Sequence, residues 1–99
     1  MARYLIKRTL TATETNVNHA GQVLVYITGK EGMDLFVSGN GNWHDHDWMT
    51  QRQIGEYGYK RLCDAKRVLK NTYIDDPKFW KTELEILSFG MFEYEEPLT

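Results

Sequence analysis

Thr50-Gln51-Arg52-Gln53-Ile54-Gly55-Glu56-Tyr57-Gly58-Tyr59-Lys60-Arg61-Leu62-Cys63-Asp64-Ala65-Lys66-Arg67-Val68-Leu69-Lys70-Asn71-Thr72-Tyr73 is the stretch on which the fold turns. Thr50 stands where a helix N-cap would, Gln53 completes a capping box, and Met49 is placed to staple against Ile54. Ile54, Tyr57, Leu62, Ala65, Val68 and Leu69 fall on one helical face, which favours a single helix over 51–73. Gly55 and Gly58 oppose it, since each costs about 1 kcal/mol relative to alanine inside a helix. Tyr57 and Tyr59 also alternate as they would on a strand. The preferred reading is a short turn or helical turn near 50–54, a strand over 56–61 and a helix over 62–73, with the continuous helix as the alternative. Asp64 in the first turn and Lys70 in the last suit the helix dipole, and Asp75-Asp76-Pro77 ends the helix.

Upstream, Tyr4-Leu5-Ile6 flanked by Arg3, Lys7, Arg8 and Thr9 reads as a strand over 3–11, followed by turn formers up to Gly21. Gln22–Thr28 is the clearest strand in the chain, with Val23, Val25 and Ile27 on one face. Gly29-Lys30-Glu31-Gly32 is a turn, and Leu35-Phe36-Val37 starts a third strand, so the first strands form an antiparallel meander. Downstream, Thr82–Ile86 is a last strand with Leu84 and Ile86 facing inward, and residues 93–99 are a loose acidic tail. The expected fold is therefore α+β: an antiparallel sheet of four or five strands with one main helix, 62–73, packed on one face. Arg3 and Lys7 share a face of the first strand, and Glu83 and Glu85 share a face of the last. If these strands are neighbours, opposite charges meet across the ladder.

Ninety-nine residues with 41% apolar and 26% charged side chains correspond to one small globular domain. A net charge of −2 supplies no global attraction to nucleic acid or an anionic membrane, so such binding needs a local patch. Aromatic residues, at 13%, fill a small core and leave rings for a contact surface. No apolar run approaches the roughly 18–20 residues of a membrane span, and the N-terminus has no signal-peptide core. One cysteine, Cys63, forms no internal disulfide, which fits a cytoplasmic setting. An exposed sheet edge leaves both a monomer and a homodimer open.

Three constellations are candidates for function. The first is Trp43-His44-Asp45-His46-Asp47-Trp48, delivered by the loop Ser38-Gly39-Asn40-Gly41-Asn42. His44 and His46 face the same way on an extended segment, but a zinc site wants four ligands or three plus water. Only His19 and Cys63 remain to complete one, and no spaced metal signature is present, so no metal and no cofactor are expected. Trp43, His44, His46 and Trp48 read instead as a partner-binding loop. The second is the basic run Lys60, Arg61, Lys66, Arg67 and Lys70, which could contact phosphates while Tyr57 and Tyr59 stack on bases. The third is the acidic C-terminal third, with Asp75, Asp76, Glu83, Glu85, Glu93, Glu95 and Glu96, whose charge could imitate nucleic acid. Cys63 lies beside Asp64, which disfavours a thiolate, although a helix N-terminus favours one, and no glycine-flanked serine or phosphate loop occurs. The expectation is a protein that is not an enzyme.

The stretches Tyr4-Leu5-Ile6-Lys7-Arg8-Thr9, Thr11-Ala12-Thr13-Glu14-Thr15-Asn16, Tyr57-Gly58-Tyr59-Lys60-Arg61, Cys63-Asp64-Ala65-Lys66-Arg67 and Phe79-Trp80 are similar to small uncharacterised proteins of phages and mobile elements of Gram-positive bacteria. The likeness covers about half the chain and excludes residues 31–53. It implies a strand–strand–(strand)–strand–helix–strand fold and no activity. The expected function is that of an accessory or inhibitory factor engaging a host or phage protein, with a nucleic-acid-binding module as the alternative.

Overall fold

Apolar residues of the first strand occur on both sides of its pleat, and that decides the layering. Leu5 points to one face of the strand, and Ile6 and Leu10 to the other, because side chains alternate along a strand. All three are buried. Such a strand needs cover on both sides, which places it in the interior of a sheet with a helix against each face.

The computed structural model describes residues 2–38, 50–72 and 74–90. Its elements are β1 (Arg3–Ala12), β2 (Val23–Thr28), β3 (Asp34–Ser38), α1 (Gln51–Tyr57), α2 (Leu62–Lys70) and β4 (Trp80–Phe89), with short 3-10 turns at Val17–His19 and Lys30–Gly32. The four strands form one antiparallel sheet in the order β3-β2-β1-β4. This is the α+β fold with the meander expected from the sequence. The last strand lies beside the first, and Lys7 faces Glu85 across the ladder. Arg3 lies opposite Phe89 instead of a glutamate, so only one of the two anticipated charge pairs is in register.

One face carries the core cluster Leu5, Val25, Ile27, Phe36 and Ile54, with Leu87 and Phe89 packed against it. Leu5 and Ile27 are wholly buried. Ile54 brings α1 onto this face. The capping box at Thr50 and Gln53 is formed in full: the Gln53 N–H donates to Thr50 Oγ1 at 3.0 Å, and the Thr50 N–H donates to Gln53 Oε1 at 3.1 Å. Arg3, only 4% exposed, serves the other end of α1, its Nε–H donating to the Gly55 carbonyl at 3.1 Å. This carbonyl is among the last four of the helix, which have no partner within it, and a cation there also complements the helix dipole. α2 covers the opposite face, where Ala65 is wholly buried.

The segment 56–61 departs from expectation. The helix runs on through Tyr57, and the anticipated strand shrinks to a single bridge in which Tyr59 and Tyr4 exchange backbone hydrogen bonds of 2.8 and 2.9 Å. β2 reaches only to Thr28, opposite Ile6, so Tyr59 continues its place beside β1. Here the chain passes from one sheet face to the other, which is why no continuous helix over 51–73 forms. Gly58 permits the crossing: a Cβ there would lie 2.6 Å from the Ile54 carbonyl oxygen and 2.8 Å from Arg3 Cβ. α2 also stops at Lys70 instead of residue 73, with Asn71 and Thr72 donating back to carbonyls of its last turn. α1 adds a second short helix to the single main helix expected.

The connection between β1 and β2 is tied to the entry of β4. The Thr13 N–H and Asn16 Nδ2 both donate to the Phe79 carbonyl, at 3.0 and 3.1 Å, and Thr13 Oγ1 donates to the Lys78 carbonyl at 2.6 Å. The acidic tail over 93–99 lies outside the described residues.

Arg3→Met, which keeps the apolar stem but removes the donor to Gly55, is expected to lower unfolding free energy by about 2 kcal/mol. Lys81→Ala, which removes an exposed 3.7 Å ion pair with Glu83, is expected to change it by less than about 0.5 kcal/mol. Urea unfolding of both variants checks the contrast.

Candidate binding site

On the sheet face covered by α2, β1 places Arg8 between Ile6 and Leu10. A cation on a face that otherwise buries aliphatic side chains must find compensation. Part comes from β2, where Tyr26 is the cross-strand neighbour of Arg8. The guanidinium carbon lies 4.7 Å from the centre of the Tyr26 ring, within cation–π range. The compensation is incomplete, because Arg8 Nε is buried and has no hydrogen-bond partner among the described residues.

Arg8 lines a cleft of about 180 Å³ together with Ile6, Thr28, Gly29, Tyr59, Val68 and others. Three parts of the fold converge there: the β1–β2 ladder as floor, the last turn of α2 as one wall, and the β2–β3 turn as the other. Gly29 is needed in that turn because a Cβ would press on the Tyr57 carbonyl and come within 2.9 Å of Tyr57 Cβ. Tyr59 reaches the cleft through its bridge to Tyr4. Burial and, secondarily, the Asp64 carboxylate raise the Tyr59 phenol above its ordinary pKa, so it stays protonated and able to donate through neutral and mildly alkaline pH. The contribution of this shift to stability is present below the ordinary tyrosine pKa of about 10 and is lost as pH rises beyond it.

The basic run is brought together on α2 and the turn before it. Lys60, Arg61, Lys66, Arg67 and Lys70 are all exposed, while Ala65 and Leu69 turn toward the sheet. Asp64 occupies two of the five cations, with Arg61 Nε at 3.2 Å and an Arg67 terminal nitrogen at 2.9 Å. The Arg61 hydrogen bond, opposed by desolvation and helped to a lesser degree by the charges of Arg61 and Arg67 and the Arg67 hydrogen bond, lowers the Asp64 carboxyl from its ordinary pKa. The stability this pairing adds is present above the ordinary aspartate pKa and fades as pH falls through the depressed one. Tyr57 and Tyr59 do not form a joint stacking platform: Tyr57 ends α1, and Tyr59 lines the cleft on the other face.

Glu83 and Glu85 stand exposed on β4, on the face opposite Arg8. His19 hydrogen-bonds Gln22 Oε1 at 2.8 Å, and its ring centre lies 5.4 Å from that of Trp80. Cys63 is exposed on the first turn of α2. Trp43, His44, His46 and Trp48 lie outside the described residues. Sequence reasoning missed the Arg8 cleft. The usable signal was the period-two pattern Ile6-Arg8-Leu10, which sets a cation on an apolar strand face.

The worth of Arg8 to the fold follows from two opposing magnitudes. A cation–π contact is worth about 0.5–1 kcal/mol, whereas a buried donor without a partner costs about 1–3 kcal/mol. Arg8→Met is therefore expected to leave the unliganded protein as stable as the parent or more stable by about 1 kcal/mol. Thermal and urea unfolding without added ligand check this, and a loss above about 1 kcal/mol would count against it.

Compared with known proteins, the chain matches no family model, no curated protein and no solved structure.

Proposed function

We propose that this chain is a non-enzymatic binding protein that works by contact with another protein, as an accessory or inhibitory factor of a phage or mobile element acting in the cytoplasm. The observation that carries the reading is the face around Arg8. Tyr26 and its cross-strand neighbour Val37, 55% exposed, lie on that face next to the cleft, and Val68 borders it from α2. Aromatic and arginine anchors with apolar neighbours inside a charged rim are the usual anatomy of a protein contact surface. The exposed cations of α2 supply the rim and favour a partner with an acidic contact region. No described helix is long and apolar enough to cross a membrane.

Site-specific photocrosslinking tests the reading. A photoreactive residue at Val37 is expected to trap a discrete second protein in cells, whereas one at Glu85, on the opposite face, is expected to trap none at that yield. Equal yields from the two positions would remove the support for this surface.

A second reading is favoured by the five exposed cations on α2 and its preceding turn. As a nucleic-acid-binding module, the protein would use Lys60, Lys66 and Lys70 directly, with Arg61 and Arg67 shared with Asp64. That reading expects gel retardation of nucleic acid that weakens with salt and strengthens in Asp64→Asn, which releases both arginines. Absence of retardation at low ionic strength ends it.

A further inference from the structure

We infer that the Arg8 cleft is a receptor for one carboxylate, carried on an aspartate or glutamate side chain of the partner. The inference rests on reading this face as a contact surface and names the chemistry that the surface selects.

Three observations converge. Arg8 lines the cleft, and its buried Nε–H has no acceptor among the described residues, so an oxyanion that enters far enough to reach it supplies what the fold withholds. A guanidinium recognises a planar carboxylate through two parallel N–H donors, one of which can be Nε–H, and such charge-assisted bonds are about twice as strong as neutral ones. The Tyr26 ring, its centre 4.7 Å from the guanidinium carbon, restrains the side chain and so limits the freedom lost on binding. Around it, Thr28 and Tyr59 also line the cleft, while Ile6 and Val68 provide an apolar lining for the methylene stem.

Size narrows the ligand further. The cleft holds about 180 Å³, below the roughly 300–1,000 Å³ typical of sites for drug-sized molecules or cofactors. Its size suits one side chain better than a whole nucleotide. Apolar walls next to a single cation fit a carboxylate on a short aliphatic stem better than a phosphodiester backbone, which presents repeated charge and no such stem.

The test needs no partner protein. The Arg8 Nε–Hε resonance of the full chain is followed by NMR during titration into the millimolar range with the end-blocked tripeptide Ala-Glu-Ala, its Ala-Gln-Ala counterpart, sodium acetate, and sodium chloride at matched ionic strength. The expected result is a saturable shift with Ala-Glu-Ala, about tenfold weaker binding of acetate, and no saturable response to Ala-Gln-Ala or chloride. Val68→Trp, which fills the cleft from an already partly exposed position, is expected to abolish the shift while leaving the backbone amide spectrum folded. Arg8→Lys keeps the charge but not the fork, and amide shifts of Thr28 and Tyr59 are expected to report about tenfold weaker binding. Responses to Ala-Gln-Ala equal to those of Ala-Glu-Ala, or to chloride equal to either, would overturn the inference. Acetate binding as tightly as the tripeptide would overturn its assignment to a side chain in favour of a free acid. Carboxylate binding with no crosslinks from Val37 would separate failure of the partner reading from failure of the pocket chemistry.

Discussion

β1 has to be apolar on both faces, and most of the architecture answers to that requirement. Leu5 needs a cover on one side, and Ile6 and Leu10 need one on the other. A seven-residue helix supplies the first and a nine-residue helix the second. Neither is long enough to be stable alone in water, so each exists because it seals one side of this strand. The passage between them is forced across the end of the sheet, where Gly58 lies against the Arg3 stem and Tyr59 takes up the backbone groups of Tyr4. Arg3 serves both demands at once, filling space on the Leu5 face and closing the free carbonyl end of α1.

The same two-sided strand creates the cleft. Its second face is apolar at Ile6 and Leu10 and cationic at Arg8 between them, a local conflict between pattern and burial. Tyr26 meets the electrostatic part through its ring, but leaves a donor without an acceptor among the described residues. Proteins usually satisfy buried donors, and this one belongs to a residue that lines a cavity, which is the physical basis of the carboxylate proposal.

Much of the fold was legible because the deciding signals are local. The capping box at Thr50 and Gln53, the alternation of Val23, Val25 and Ile27, and the turn at Gly29–Gly32 require knowledge only of near neighbours in sequence. The charges on Arg3, Lys7, Glu83 and Glu85 were only a hint that the last strand lies beside the first, and of the pairs they suggested Lys7 and Glu85 are in register. The segment 56–61 misled because two tyrosines at alternate positions look like one strand. In the fold they belong to different objects: Tyr57 closes α1, and Tyr59 makes one bridge past the end of β2. Gly55 weighed against a helix only in isolation, without the long-range bond that Arg3 makes to its carbonyl. The cleft depends on register. Arg8 reads as an ordinary solvated cation until the β1–β2 pairing sets it against Tyr26, and that pairing is not encoded in any one segment.

The pairing of β1 with β4 also sets the order in which this molecule can be made. Lys7 and Glu85 meet across a separation of nearly eighty residues, and every rung of that ladder is comparably non-local. Loop closure over such a distance is entropically costly before any contact repays it, and chains dominated by such pairings fold slowly. During synthesis β1, β2 and β3 emerge first and can pair as a meander, while the other edge of β1 stays open until Trp80–Phe89 has left the ribosome. The bonds from Thr13 and Asn16 to Phe79 join the late strand to the early half at its point of entry. Until they form, a strand that buries apolar side chains on both faces presents an unpaired edge, which is a hazard for aggregation during synthesis.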